Sequence, residues 1–284
     1  MSFGTLIDTA DLARLIAADE VLICDCRFDL GDIQAGRRAY LEGHIPGAIY
    51  VDLEQDLSGK PDGHNGRHPL PQPHAFAAQM AELGLSKGRQ VVSYDNSGGF
   101  YASRLWWMLR WIGHNEAAVL DGGFAAWVGA GLALHQGEEH APPGAFEAPA
   151  GPAMPVSDVR AIEANLDTNK LLVVDARTAE RFAGAPHPLD TASGHIPGAS
   201  NRFWQANLGP DGRFKPAEQL AQEFSALLLG RSADAVVHQC GSGVTATHNL
   251  LAMEVAGLSG SRLYPGSWSE WTSDPSRPVA RDAA

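Results

Sequence analysis

The chain has 284 residues, of which 44% are hydrophobic and 19% charged, so it can bury a sizeable core. It also exceeds the ~100–200 residues of one typical domain. Its formal net charge of −12 disfavours nucleic acid and acidic membranes as partners. No apolar run approaches the ~20 residues that span a bilayer, and the N-terminus lacks the pattern of a leader, so we expect a cytoplasmic protein.

The first predicted element is an amphipathic helix near the N-terminus. Leu12, Leu15 and Ile16 recur at helical spacing and form one apolar face. Asp8 or Thr9, both of residue types that cap helices, stands in front of them. The chain is therefore predicted to open with a helix rather than with a targeting segment.

Strand-like segments then alternate with helical patterns. VLICDCR (21–27) and VVSYD (from Val91) are short runs rich in β-branched residues, which predicts strands. Trp106, Trp107 and Trp111 recur at helical spacing in SRLWWMLRWIG. That spacing favours packing in a core or at a domain interface over a ligand site.

Four landmarks occur twice in the chain, in the same order. They are VLICDCR (21–27) and LLVVDAR (171–177), the GHIPG turns around His44 and His195, VVSYDNSGG and VVHQCGSGV (from Val91 and Val236), and LDGGFAAW and YPGSWSEW (ending at Trp127 and Trp271). A repeat of this kind indicates two homologous domains. The two turn histidines are expected to pack in the fold rather than to bind a ligand.

The alternation of strands and helices predicts an α/β fold class. Parallel strands buried between two layers of helices give a three-layer α/β/α unit with a central parallel sheet. We expect one such domain in residues 1–137 and a second in residues 158–284. Residues 138–157 carry five prolines and no apolar period, which is typical of an extended linker.

Cys240 is the candidate nucleophile. It ends the predicted strand VVHQC, at the kind of strand end where ligands of open α/β sheets bind. The Gly-Ser-Gly sequence after it lets the backbone curl so that N–H groups converge, and a helix starting near Val244 adds partial positive charge. The hydroxyls of Ser242 and Thr245 can add hydrogen bonds. A sulfur at this point is expected to be held as the thiolate, and a buried structural cysteine is the alternative.

Other reactive residue types have simpler interpretations. Cys24 and Cys26 lie two apart on a strand, with no second pair and no nearby histidine, so a zinc site is not expected. Arg27 and Arg177 end the two repeated strands. A position shared by both halves favours a structural role, in which each arginine pairs with a carboxylate or a helix end.

The CGSGVTA loop, the two GHIPGA elements, the DxR strand ends and the closing GSWSEW resemble the tandem rhodanese-type sulfurtransferases, and the likeness covers residues 22–271. The resemblance implies two rhodanese folds, with only the C-terminal one catalytic. The repeat agrees, because the partner of Cys240 in the first half is Asp95, which cannot attack sulfur. The neutral loop is similar to that of the 3-mercaptopyruvate sulfurtransferases, whereas thiosulfate-preferring relatives place basic residues after the cysteine.

The resemblance also implies which residues bind the donor. Arg181 in AERFAG matches the first substrate arginine of the family, and a guanidinium suits the carboxylate of a 2-oxo acid. Pro188 stands where the family has its second substrate arginine, so that arginine is absent. The candidate substitute is His187 or another residue. The remaining candidates for donor binding are the loop residues Gly241, Gly243, Val244 and Thr245.

A proton relay is implied in the same way. Ser242 matches the serine that is proposed to exchange a proton with an acidic side chain from the first domain. Glu54, in VDLEQD, matches that acidic position, and His68, in RHPLP, matches the histidine near it. Plain surface roles for Glu54 and His68 are the alternative.

The sequence thus predicts a sulfurtransferase that moves sulfur from 3-mercaptopyruvate or thiosulfate, through a Cys240 persulfide, to cyanide, a small thiol or a thioredoxin-like acceptor. No metal or organic cofactor is expected, since sulfur is both nucleophile and electrophile. The alternatives are a thiosulfate:cyanide sulfurtransferase and a non-enzymatic persulfide carrier. A cysteine phosphatase is disfavoured because Ala246 stands where such an enzyme needs an arginine.

Overall fold

A computed structural model of the chain describes residues 2–281, which form two compact units. The first unit contains the chain up to Ser58, Pro71–Met154 and Pro210–Phe214, and the second contains Gly59–Leu70, Pro155–Gly209 and the chain from Lys215 onward. Each unit therefore includes a short segment from the other half of the sequence.

The first unit alternates strands and helices along the chain. Its strands are β1 (Leu6–Ile7), β2 (Val21–Asp25), β3 (Ala48–Tyr50), β4 (Gln90–Tyr94) and β5 (Ala117–Leu120). Its helices are α1 (Thr9–Ala17), α2 (Ala35–Glu42), α3 (Pro73–Glu82), α4 (Ala102–Trp111) and α5 (Gly123–Gly129). The strands pair in parallel in the order β1-β5-β4-β2-β3, as the alternation predicted.

Helix α1 and helix α4 cover this sheet with apolar side chains. The Asp8 carboxylate accepts a hydrogen bond from the Asp11 N–H at 2.8 Å, so Asp8 caps α1. Leu12 on the same helix is fully buried. Trp106 and Trp107 of α4 are fully buried as well, which confirms that these tryptophans are packing residues.

The second unit repeats the pattern. Its strands are β6 (Leu172–Asp175), β7 (Ser200–Asn201), β8 (Val236–Gln239) and β9 (Arg262–Leu263). Its helices are α6 (Val159–Thr168), α7 (Ala179–Ala183), α8 (Ala217–Leu228), α9 (Ala246–Val255) and α10 (Ser267–Trp271), with 3₁₀ turns at Trp204–Asn207 and Ala233–Ala235. The strands pair in parallel in the order β7-β6-β8-β9, so β8 lies inside the sheet. Its core includes Ile162, Val173, Ile196, Val237, Tyr264, Trp268 and Trp271.

The repeated DxR sequences have one structural role. Arg27 binds the Asp25 carboxylate at 2.5–3.0 Å. Arg177 binds the Asp175 carboxylate at 2.7–3.1 Å. Each arginine also donates to the carbonyl oxygen of the glycine that opens the GHIPG turn, at 2.7 and 2.8 Å. The structural role predicted for both arginines is confirmed.

The GHIPG histidines are packing residues, also as predicted. His44 is fully buried, lies with Nδ1 2.8 Å from the Tyr40 carbonyl oxygen, and stacks on the Tyr40 ring. His195 lies with Nδ1 2.8 Å from the Phe182 carbonyl oxygen and stacks on the Phe182 ring. The two turns therefore tie each sheet edge to the preceding helix in the same manner.

Candidate functional site

Cys240 lies directly after strand β8 and before helix α9. Since β8 pairs with β6 on one side and β9 on the other, the sulfur stands at the carboxyl edge of a parallel sheet. The helix begins at Ala246, two residues later than the sequence suggested, because residues 241–245 are taken up by the turn.

The turn requires glycine at one position. Gly243 has φ +78°, and a Cβ there would stand 2.2 Å from the carbonyl oxygen of Pro265. An L side chain would therefore meet both a left-handed backbone and a direct clash. Gly243 fixes the distance between the Cys240 loop and the turn that precedes α10.

Two hydrogen bonds anchor the backbone of Cys240 itself. Its N–H donates to the Ser267 hydroxyl at 3.1 Å, and its carbonyl oxygen accepts from the Trp268 N–H at 3.0 Å. Ser267 has φ +54°, which is unusual for a residue with a side chain, and its hydroxyl donates to the Tyr264 carbonyl oxygen. The sequence analysis missed Ser267. The repeat carried a signal for it, because Gly123, at the corresponding place in the first half, also has positive φ.

The loop also presents backbone donors. Gly241, Ser242, Val244 and Thr245 are buried, and within residues 2–281 no protein acceptor bonds to their N–H groups. Buried backbone N–H groups are nearly always paired. Four such N–H groups in the turn directly after Cys240 are therefore available to an anion, and their convergence on the sulfur stays a prediction.

Ser242 and His68 are in direct contact. The Ser242 hydroxyl lies 2.8 Å from His68 Nδ1, and both side chains are buried, at 6% and 5% exposed. His68 belongs to the Gly59–Leu70 segment of the second unit. The structure therefore places His68 at the loop that carries the nucleophile, and not on the surface.

Arg181 faces the same loop and is bound to a carboxylate. Its Nε and Nη2 donate to the two oxygens of Asp190 at 3.0 and 2.7 Å, a paired geometry that fixes the guanidinium plane. The Asp190 side chain is only 4% exposed. Asp190 therefore holds Arg181 in position, a role that the sequence analysis did not assign.

Arg67 is the second cation at the loop, and the sequence analysis missed it as well. A Cβ on Gly241 would stand 3.0 Å from Arg67 Nη2 and 3.3 Å from Arg181 Nη2, so both guanidinium groups lie over Gly241. Burial lowers the pKa of Arg67, an effect that the nearby Asp190 and Cys240 oppose. Arg67 also borders a cavity of about 260 Å³ together with Asp190 and Trp268.

The three cysteines differ in their surroundings. Cys240 is buried, at 2% exposed. Burial strongly raises the pKa of the Cys24 and Cys26 thiols, and nearby carboxylates such as Asp25 add to the effect. Those two thiols are therefore protonated and inert at neutral pH.

Glu54 and His187 are two further residues for which the sequence suggested a role at the site. Glu54 is in the first unit, in the turn after β3, with an exposed side chain and its N–H bonded to the Asp52 carboxylate at 2.8 Å. Its relay role stays a prediction. His187 is half-buried, and burial together with the Arg181 charge lowers its pKa, so it is neutral and cannot replace a guanidinium.

The described residues contain neither a cluster suited to a metal ion nor a helix suited to cross a membrane. Within residues 2–281, no three His, Cys, Asp or Glu side chains are grouped so that they could hold a metal ion. No helix in the described part of the chain combines the length and the hydropathy needed to cross a bilayer.

Comparison with known proteins gives concordant matches. The Rhodanese-like domain family matches residues 8–130 and again residues 158–274. A protein of Pseudomonas aeruginosa named as a probable 3-mercaptopyruvate sulfurtransferase is 48% identical over 282 residues, covering 99% of each chain. A Mycobacterium tuberculosis protein named as a candidate thiosulfate sulfurtransferase is 38% identical, covering 98% of each. The crystal structure of SseA from Escherichia coli, described as a 3-mercaptopyruvate sulfotransferase, superimposes with a TM-score of 0.81 at 34% identity and covers 94% of this chain and 99% of its own.

Proposed function

Because the chain belongs to the rhodanese-like domain family, we propose that it is a sulfurtransferase that carries sulfur as a persulfide on Cys240. One observation carries this proposal: Cys240 stands at the carboxyl edge of a parallel sheet, beside buried N–H groups and two guanidinium groups. A sulfur so placed is suited to act as an anionic nucleophile and then to bear the terminal sulfur anion of a persulfide.

The first half-reaction is attack on the outer sulfur of a donor. With thiosulfate, the Cys240 thiolate forms a sulfur–sulfur bond and sulfite leaves with the electron pair of the bond that breaks. With 3-mercaptopyruvate, the carbon–sulfur bond breaks and the enolate of pyruvate leaves. The thiol proton of the donor must then reach the enolate carbon, so this donor needs a proton relay that thiosulfate does not.

Ser242 and His68 are suited to that relay. Their hydroxyl–imidazole contact of 2.8 Å lies next to Cys240, in buried surroundings where a proton can pass directly between the two groups. Together with the neutral loop, this contact favours 3-mercaptopyruvate as the donor. Glu54 remains the proposed acidic member of the relay.

The second half-reaction returns the enzyme to its starting state. A thiophilic acceptor attacks the terminal sulfur of the persulfide, and the Cys240 thiolate leaves. Cyanide, a small thiol or a thioredoxin-like protein has the required chemistry. The net charge of −12 disfavours nucleic acid and acidic membranes as partners, and acceptors of this kind in the cytoplasm belong to the proposed function.

Intact-protein mass spectrometry after exposure to 3-mercaptopyruvate tests the persulfide. We expect a gain of about 32 Da, one sulfur atom, that maps to the Cys240 peptide and disappears on addition of cyanide. Cys240→Ser should show no gain in mass. Cys26→Ser, which removes a buried thiol from the first half of the sequence, should gain the same mass as the wild-type protein. No adduct on the wild-type protein would refute the proposal.

Side-by-side kcat/KM values identify the donor. A preference of more than about tenfold for thiosulfate would reverse our choice of donor and favour a thiosulfate:cyanide sulfurtransferase, the class to which the mycobacterial relative is assigned. Persulfide formation without turnover of either donor would instead indicate a carrier protein.

A further inference from the structure

The first turn of helix α10 holds the backbone at the start of the Cys240 loop. The Cys240 N–H donates to the Ser267 hydroxyl at 3.1 Å, and the Cys240 carbonyl oxygen accepts from the Trp268 N–H at 3.0 Å. The next carbonyl oxygen, that of Gly241, accepts from the Ser269 N–H at 3.0 Å. Two of these partners are backbone N–H groups of α10, whereas Ser267 contributes its side chain.

The Ser267 hydroxyl is itself bonded on both sides. Its oxygen accepts the Cys240 N–H, and its proton goes to the Tyr264 carbonyl oxygen at 2.9 Å. Ser267 is fully buried, so solvent water does not replace either partner. Because a buried N–H without an acceptor is costly, the amide of Cys240 depends on this one hydroxyl.

Ser267 holds its hydroxyl there from a backbone conformation that favours glycine. Its φ is +54°, and the first unit has Gly123, with φ +57°, at the corresponding place. There the Phe124 N–H donates to the Asp95 carbonyl oxygen at 2.8 Å, so the same turn forms without a side chain. A serine in this turn therefore carries backbone strain that the fold does not require, and such strain is typical of functional sites.

The two loops differ in what fixes the side chain at the strand end. The Asp95 carboxylate of the first unit is held directly by four backbone N–H bonds at 2.7–2.9 Å. A cysteine sulfur is a single, weak acceptor, so its position depends more on the backbone that carries it. In a persulfide the reacting atom lies one sulfur–sulfur bond farther from that backbone, and a small rotation of Cys240 then displaces this atom even more.

We propose that Ser267 is a positioning residue for sulfur transfer, because its hydroxyl fixes the Cys240 amide and thereby the direction of the thiolate and of the persulfide. The inference rests on the sulfurtransferase function proposed above. In this role Ser267 acts through the Cys240 backbone and not by contact with the donor. The strained φ is then explained by the need for a hydroxyl where the first unit has none.

Two substitutions separate the hydroxyl from the strain. Ser267→Ala removes the hydroxyl and keeps a side chain at positive φ, whereas Ser267→Gly removes the hydroxyl and the strain together. We expect both variants to lower kcat for 3-mercaptopyruvate about 10- to 100-fold, since a shift of about 1 Å at a reacting group has an effect of this size. KM should stay within about threefold. Ser267→Gly should nevertheless unfold at a higher urea concentration than Ser267→Ala.

Ser273→Ala is the matched control. The Ser273 hydroxyl donates to the Glu270 carbonyl oxygen at 2.8 Å, so its bond stays within the helical turn at the end of α10. This variant should keep kcat and KM within about twofold of the wild-type values. On long exposure to the donor, both Ser267 variants should still gain one sulfur atom on Cys240, but more slowly than the wild-type protein, which shows that they are folded.

The inference is overturned if Ser267→Gly restores the wild-type kcat, because activity would then follow the strain and not the hydroxyl. It is also overturned if kcat is unchanged in both variants, or if KM alone rises, which would assign Ser267 to donor binding. A wild-type protein that forms no persulfide from either donor would refute the proposed function itself, which the other outcomes leave intact.

Discussion

Gly243→Ala probes whether the loop geometry controls activity. Its new Cβ would stand 2.2 Å from the Pro265 carbonyl oxygen, whereas carbon–oxygen contacts settle at about 3.3–3.6 Å, so the loop or the facing turn must move by about 1 Å. The left-handed φ of +78° costs about 1–2 kcal/mol with a side chain. Overpacking adds about 1–3 kcal/mol, so the second unit should lose about 2–5 kcal/mol of stability.

Gly198→Ala is the matched control for this change. Gly198 has φ +79°, also in the second unit, but a Cβ there meets nothing within 4 Å. It should therefore lose only the backbone contribution of about 1–2 kcal/mol and keep kcat/KM within about twofold. Gly243→Ala should lower kcat/KM about 10²-fold, because a shift of about 1 Å at a reacting group costs that much. Urea unfolding and steady-state turnover measure both quantities, and equal behaviour of the two variants would contradict the argument.

Three further predictions concern neighbouring groups. Asp190→Asn should release Arg181 and raise KM for 3-mercaptopyruvate. It should also lower the free energy of unfolding in urea by about 3–5 kcal/mol, since the Asp190 carboxylate in its ion pair with Arg181 is only 4% exposed. Ser242→Ala should lower kcat for 3-mercaptopyruvate about 10²-fold, and adding His68→Gln should lower it little further in a double-mutant cycle, because the two groups act together. Burial lowers the pKa of His238 to about 3, so the folded state excludes a proton that the unfolded state binds below about pH 6.5. The free energy of unfolding should therefore fall by up to ~1.4 kcal/mol per pH unit as the pH is lowered from 6.5 to 3. His238→Gln should lack this contribution to the pH dependence.

Local patterns in the sequence were sufficient to predict the elements with a clear period or a repeated motif. The helical spacing of Leu12, Leu15 and Ile16 behind a cap at Asp8 or Thr9 predicted α1. The repeat and the alternation of strands and helices predicted two parallel sheets, with Arg27 and Arg177 at corresponding strand ends. These features depend on residues close together in the chain, or on the same position in both halves. The position of Cys240 followed from the same information.

The site was predicted less completely because its other members come from distant segments. Arg67 lies 202 residues before its contact Ser269 and was not predicted, and His68, which lies 174 residues before Ser242, was named only through the family resemblance. Neither segment has a periodicity that reveals which unit it joins. The positive φ of Ser267 likewise could not be predicted from its residue type, because serine seldom adopts this backbone conformation. The first half of the chain has a glycine at the corresponding position.

The first unit offers a physical comparison for the Cys240 loop. At the corresponding strand end, the Asp95 carboxylate is fully buried and accepts backbone N–H bonds at 2.7–2.9 Å. The donors are Ser97, Gly99, Tyr101 and Ala102. Burial raises the pKa of Asp95, and these bonds oppose that rise. In the described part of the chain, no arginine or lysine forms an ion pair with it, so the loop backbone accommodates one buried carboxylate without a cation.

The second unit has the same kind of loop with Arg67 and Arg181 added. If backbone amides serve one anion in the first unit, the amides around Cys240 can serve the sulfur in the second. Arg181 is already paired with Asp190, so the charge of Arg67 exceeds what one anion needs. A second anion bound at the Cys240 loop explains this excess of positive charge. A negatively charged sulfur donor would supply that anion. The cations therefore distinguish a loop that transfers sulfur from one that only buries a charge.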